Sequence, residues 1–225
     1  MSAPDFLKAI RRRNHMVALF PWLSRLGELK QLLAASSRWR REGWFVPVPH
    51  FVRRAALLSE ARAMGAEIFI ETGTYKGGTI WSMLGEFRRL ITIEVVPALA
   101  ALARQRFARF HHVTVFDGDS AEVLPSICSD LDAPCLFYLD GHYSGGVTGK
   151  GTEECPVIRE LDAIFTFTKV PFRIVIDDAR LFGTDPAYPA IDAVAGFVHS
   201  RRPGMSVRIE NDAILIHDAE PGLQC

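Results

Sequence analysis

The chain has 225 residues, 48% hydrophobic and 23% charged, enough to bury roughly 70% of its unfolded surface around one core. Ordinary glycine and proline usage, and apolar runs well short of 18 residues, exclude collagen-like, disordered and membrane-spanning classes. The formal net charge is zero, yet residues 1–50 hold nine Lys/Arg against three acids. A solvated arginine-rich helix face accounts for that basic arm more simply than a nucleic-acid partner does.

Within the arm, Leu19, Trp22, Leu23, Leu26, Leu29 and Leu33 recur at helical spacing, with Pro21 suited to a first turn. This stripe needs a covering surface, either the main domain or a second subunit, which makes the arm a route to a homo-oligomer. An interfacial membrane helix is the alternative. Pro47-x-Pro49 marks the boundary between a helical arm, 1–50, and a main domain, 51–225, which opens with a helix over 51–64.

From residue 66 short β-rich runs alternate with helical stretches. Strands are predicted at 67–71, 90–94, 112–116, 135–139 and 173–177, with helices at 76–87, 97–108, 120–127 and 153–167. Repeated βα units imply a Rossmann-like, doubly wound α/β fold with a mostly parallel sheet. A helix at 189–200 then precedes strands at 205–210 and 213–217, joined by an Asn211-Asp212 hairpin turn. The expected sheet has seven strands, with an antiparallel strand at its C-terminal end.

Cys128, Cys135, Cys155 and Cys225 show no C-x-x-C spacing, and no cleavable leader is expected because Pro21 and Arg25 interrupt the first apolar run. Reduced thiols in a cytoplasmic protein follow. Cys155 reads as a packed small hydrophobe, or alternatively as a nucleophile without an evident base.

Ligands of open α/β sheets sit beyond the carboxyl ends of the strands. Here those ends are acidic: Glu71, Glu94, Asp117-Gly118-Asp119, Asp140 and Asp177-Asp178 follow successive runs. After the first strand, Glu71-Thr72-Gly73-Thr74-Tyr75-Lys76-Gly77-Gly78-Thr79 forms a glycine turn entering a helix. Tyr75 stands where a dinucleotide fingerprint needs glycine, and Thr79-Ile80 stands where Walker A needs Lys-Ser/Thr. The pattern therefore suits a nucleoside cofactor without a pyrophosphate. Glu94 lies 21 residues after Gly73, the spacing at which an acid accepts from ribose hydroxyls; capping of the helix near Pro97 is its other reading. Asp119 and Ser120 are then placed for an adenine edge.

These residues resemble motif I and the strand ends of class I S-adenosylmethionine (SAM)-dependent methyltransferases, over about residues 66–217. Phe116 to Ser120, Leu139 to Tyr143 and Ile176 to Asp178 look most like the small metal-dependent O-methyltransferases, including the antibiotic-sugar and catechol types. The resemblance implies SAM bound by Glu71, Thr72, Gly73, Thr74, Gly77, Gly78, Thr79, Glu94, Asp119, Ser120 and Asp140. It also implies Mg2+, or another hard divalent ion, on Asp140, Asp177 and Asp178, chelating a small hydroxylated acceptor. Independently, neighbouring strands lie about 4.8 Å apart, so these carboxylates should converge and need a cation or shared protons.

Gly141 to Gly151 has five glycines and reads as a lid presenting His142, Tyr143 and Lys150. Either Asp140 or His142 serves as proton acceptor. A metal-independent methyltransferase, or an inactive cofactor-binding or assembly protein with this fold, remains the alternative.

Overall fold

The computed structural model describes residues 48–141 and 155–219. The arm up to residue 47, the glycine-rich segment with His142, Tyr143 and Lys150, and Cys225 lie outside the described residues. So does the expected oligomer contact through the arm.

Seven strands form one sheet of order β3-β2-β1-β4-β5-β7-β6. They are β1 (Ile68–Thr72), β2 (Arg89–Glu94), β3 (Val113–Asp117), β4 (Cys135–Leu139), β5 (Phe172–Ile176), β6 (Met205–Glu210) and β7 (Ala213–Asp218). Pairing is parallel from β3 through β5, and β7 runs antiparallel to both β5 and β6. β1 and β4 are buried at every position, as expected for central strands of a parallel sheet covered on both faces. Asn211 and Asp212 both take positive φ, 50° and 62°, which a two-residue hairpin turn of matching twist requires.

Helices cover both faces. On one lie α1 (His50–Met64), α2 (Gly78–Met83) and α3 (Pro97–Phe107), packed through Leu57, Ile80, Met83 and Phe107 against Phe69, Leu90, Tyr138 and Val175. On the other lie α4 (Ser120–Ser129), α5 (Val157–Phe167) and α6 (Ile191–Arg201), packed through Leu124, Leu161, Ile164 and Val194 against Ile70, Ile93, Phe137 and Ile176. Cys155 is buried in that second core, the packed reading of this residue.

Boundaries depart from the sequence expectation chiefly at α2, predicted over 76–87. It begins at Gly78 because Gly77 sits in the left-handed region at φ 68°, where an added Cβ would lie 2.8 Å from the Phe107 ring. It ends at Met83 in a turn over 84–86. The helix predicted from 153 begins at Val157, after Pro156. α1 is tied to the hairpin side of the sheet by Glu60, whose carboxylate pairs with Arg173 at 2.6 Å and Arg208 at 2.9 Å.

Candidate functional site

The parallel register brings the strand ends to one rim. Asp140 N–H donates to Thr72 O at 3.1 Å and Asp177 N–H to Leu139 O at 3.0 Å, so the residues leaving β1, β4 and β5 stand side by side. Gly73 turns the chain away at φ 84°, donating its N–H to Ile93 O at 2.9 Å. A Cβ there would lie 2.3 Å from Asp140 O, so the closeness of β1 and β4 at this point requires glycine.

Side chains divide by sheet face. On the α1 face, Glu71 is fully buried and pushed up to about 8, by burial above all, against hydrogen bonds from Thr92 and Thr79 that hold it down. Thr92 Oγ1 donates to Glu71 Oε2 at 2.8 Å and lies 2.6 Å from Thr74 Oγ1, locking the start of the turn. Glu94 accepts from Tyr75 N–H at 2.7 Å and Val96 N–H at 2.9 Å, one on each carboxylate oxygen. Of the two sequence readings of Glu94, these bonds match the capping one: it braces the entry to α3.

Asp140, Asp177 and Asp178 each offer a carboxylate oxygen within 4.8 Å of the others. Asp178 holds a left-handed conformation at φ 59°, a backbone cost of the kind that clusters at functional sites. Burial first, then Asp177, drives Asp140 well above the ordinary carboxylate range. Asp177 is pushed up to about 6 by burial, against the pull of Arg53.

Three partners of this cluster carried no motif in the sequence. Arg53, from α1, lies 2.9 Å from Asp177 Oδ2. Tyr138 donates to the same oxygen at 2.8 Å, and its oxygen is 3.3 Å from Asp140 Oδ2. Arg180 pairs with Asp178 at 2.9 Å and with Asp212 of the β6–β7 turn. Four carboxylates thus face two guanidinium groups, so full ionisation of the set would leave two negative charges unbalanced, which burial opposes by raising Asp140 and Asp177. An all-oxygen donor set with that residual charge fits a hard divalent cation.

On the opposite face, Asp119 caps α4 through Ala121 N–H at 3.0 Å, and Ser120 donates to Glu160 Oε1 at 2.5 Å. Glu160, from α5, is fully buried and was not singled out in the sequence; beside Arg159 and Asp162 it reads as one more charge on a helix. Thr72 Oγ1 lies beside it, within reach of a hydrogen bond that holds Glu160 down. Burial pushes Glu160 up to about 7 from its ordinary 4.5. Between those values the folded chain holds a proton that the unfolded chain has released, so stability falls as pH rises through the window. Glu160→Gln is expected to reduce the stability lost between about pH 5 and pH 8 by on the order of 3 kcal/mol in urea unfolding. An unchanged pH slope would contradict this.

A parallel sheet closed by an antiparallel hairpin, with a glycine turn after β1 and acids at the ends of β2, β4 and β5, defines the class I methyltransferase fold, and this chain carries it. The O-methyltransferase TomG from Streptomyces achromogenes, involved in tomaymycin synthesis and solved with SAM, is similar at a TM-score of 0.54 and 20% identity, over 83% of this chain and 87% of that one. An O-methyltransferase from Bacillus cereus, solved with S-adenosylhomocysteine (SAH), gives 0.55 and 14%, over 83% and 89%. The SAH-bound methyltransferase PaMTH1 from Podospora anserina gives 0.54 and 13%, over 86% and 88%. No protein-family model and no curated protein matches the sequence. Among the described residues, no helix is long and apolar enough to cross a membrane.

Proposed function

We propose that the protein is a SAM-dependent methyltransferase that methylates a hydroxyl of a small acceptor, with a hard divalent cation held by Asp140, Asp177 and Asp178. The observation that carries this reading is the convergence of those three carboxylates within 4.8 Å at the strand ends next to the Gly73 turn. The similar structures of TomG and the Bacillus cereus enzyme, both O-methyltransferases, support it.

In this reading the turn from Glu71 to Thr79 receives the methionine part of SAM, Glu94 accepts from the ribose, and the region of Asp119 and Ser120 borders the adenine. Transfer is an in-line displacement: the acceptor oxygen bonds to the methyl carbon as the carbon–sulfur bond breaks, leaving SAH, and the hydroxyl proton passes to a base. Asp140 and His142 are the two groups assigned to that proton. When bound, the cation supplies Lewis-acid lowering of the hydroxyl pKa and a template for the acceptor. The protein's own contribution is orientation, which can supply roughly 7–11 kcal/mol of barrier reduction. Buried thiols at Cys128 and Cys135, neither in a disulfide, support a reducing cytoplasmic setting.

Calorimetric titration with SAM, SAH and NAD, each with and without Mg2+, tests the reading. Affinity for SAM and SAH but not NAD is expected; no affinity for either sulfur compound would remove it. A metal-independent transferase is the second reading, favoured by the arginines already paired with Asp177 and Asp178. Turnover undiminished by chelator would select it.

A further inference from the structure

Arg53 places a positive charge at the rim, beside the carboxylates assigned to a divalent ion. Its guanidinium lies 2.9 Å from Asp177 Oδ2. Burial works against its charge, but the neighbouring acids, Asp177 foremost, outweigh burial and stabilise the cation. The pairing is incomplete, because among the described residues the buried Arg53 Nε has no hydrogen-bond partner. A small cavity between α1 and the β6–β7 hairpin runs alongside, lined by Arg53, Ser59, Glu60, Tyr138, Asp177 and Glu210 among others. The side chain therefore has adjacent space to enter, bordered by Glu210 and by Glu60, the latter already paired with Arg173 and Arg208.

We propose that Arg53 is a displaceable internal counter-ion: it holds the acid rim when no metal is bound and gives way, toward the Glu60–Glu210 cavity, when a divalent cation binds. This rests on the metal part of the proposed function. Three converging, largely desolvated acids would otherwise repel or take up protons, whereas a tethered guanidinium neutralises part of the charge without filling a six-oxygen coordination shell. A unit positive charge this close also opposes a doubly charged ion. Arg53 thus sets how much free metal the site requires, and it does so from α1, the helix that follows the basic arm.

The test is calorimetric titration of Mn2+ into the wild-type chain, Arg53→Gln and Arg53→Lys, with circular dichroism confirming the fold of each. Arg53→Gln is expected to bind Mn2+ at least tenfold more tightly than wild type, and Arg53→Lys, which keeps the charge, within about threefold of wild type. In the unmodified protein, the Arg53 Nε–H resonance, assigned by its loss in Arg53→Lys, should shift on titration with Mg2+. This second measurement decides the matter if Arg53→Gln does not fold. Equal Mn2+ affinity in wild type and Arg53→Gln, or a stationary Arg53 resonance while metal binds, overturns the proposal and leaves the proposed function standing. Absence of Mn2+ binding in every variant overturns both the proposal and the metal part of that function.

Discussion

Gly73→Ala is expected to abolish SAM binding and to lower the melting temperature by on the order of 6–12 °C. The added methyl would meet Asp140 O at 2.3 Å and Asp140 C at 2.7 Å. These are backbone atoms at the end of β4, pinned by the Asp140 N–H to Thr72 O hydrogen bond, so they cannot swing aside as a side-chain tip would. Alanine at a φ of 84° costs about 1 kcal/mol on its own. Forcing β1 and β4 apart raises the total to about 3 kcal/mol, at 2–4 °C per kcal/mol for a chain of this size. The same displacement would move Asp140 and the Gly73 turn, to which SAM binding is assigned in the proposed function, together. Gly85→Ala is the control, since a Cβ there meets nothing within 4 Å. A Gly73→Ala protein with wild-type melting and SAM affinity would mean that the turn has another geometry.

Asp140→Asn is expected to lower methyl transfer by about 10³-fold while leaving the fold intact or slightly more stable. Among the described residues, Asp177 pairs with Arg53 and Asp178 with Arg180, whereas no arginine ion pair reaches Asp140. Its charge is the least compensated of the three, and burial and Asp177 both oppose it. Asparagine relieves that cost, so stability should not fall. The same change removes a ligand of the proposed cation and a candidate proton acceptor, whose joint loss is worth several kcal/mol of barrier. Transfer from radiolabelled SAM to a panel of vicinal-diol acceptors, read beside thermal melting, separates the two effects. Full turnover in Asp140→Asn would remove Asp140 from the chemistry, and a collapse of melting would show that its role is structural.

The strands were readable because they are central and parallel. Runs such as Ile68 to Ile70 and Leu136 to Leu139 are buried on both faces, so each is apolar without alternation and bounded by polar turns. The acids at their ends were readable for the related reason that a parallel sheet gathers every carboxyl end on one edge. What α2 does was less legible: its limits depend on Gly77 fitting under the Phe107 ring of α3, a contact between elements that no local pattern encodes.

Amino-acid order by itself determined the βα alternation, the hairpin at Asn211-Asp212 and the row of acids, because each arises from local periodicity, turn chemistry or strand ends. Tertiary structure decided which cations meet those acids. Arg53 comes from a helix before the first strand and Arg180 from the turn after the fifth, while Glu160 reaches Ser120 and the neighbourhood of Thr72 from α5. Such pairings depend on where helices land on the sheet faces, and close-packing of side chains from distant segments sets that.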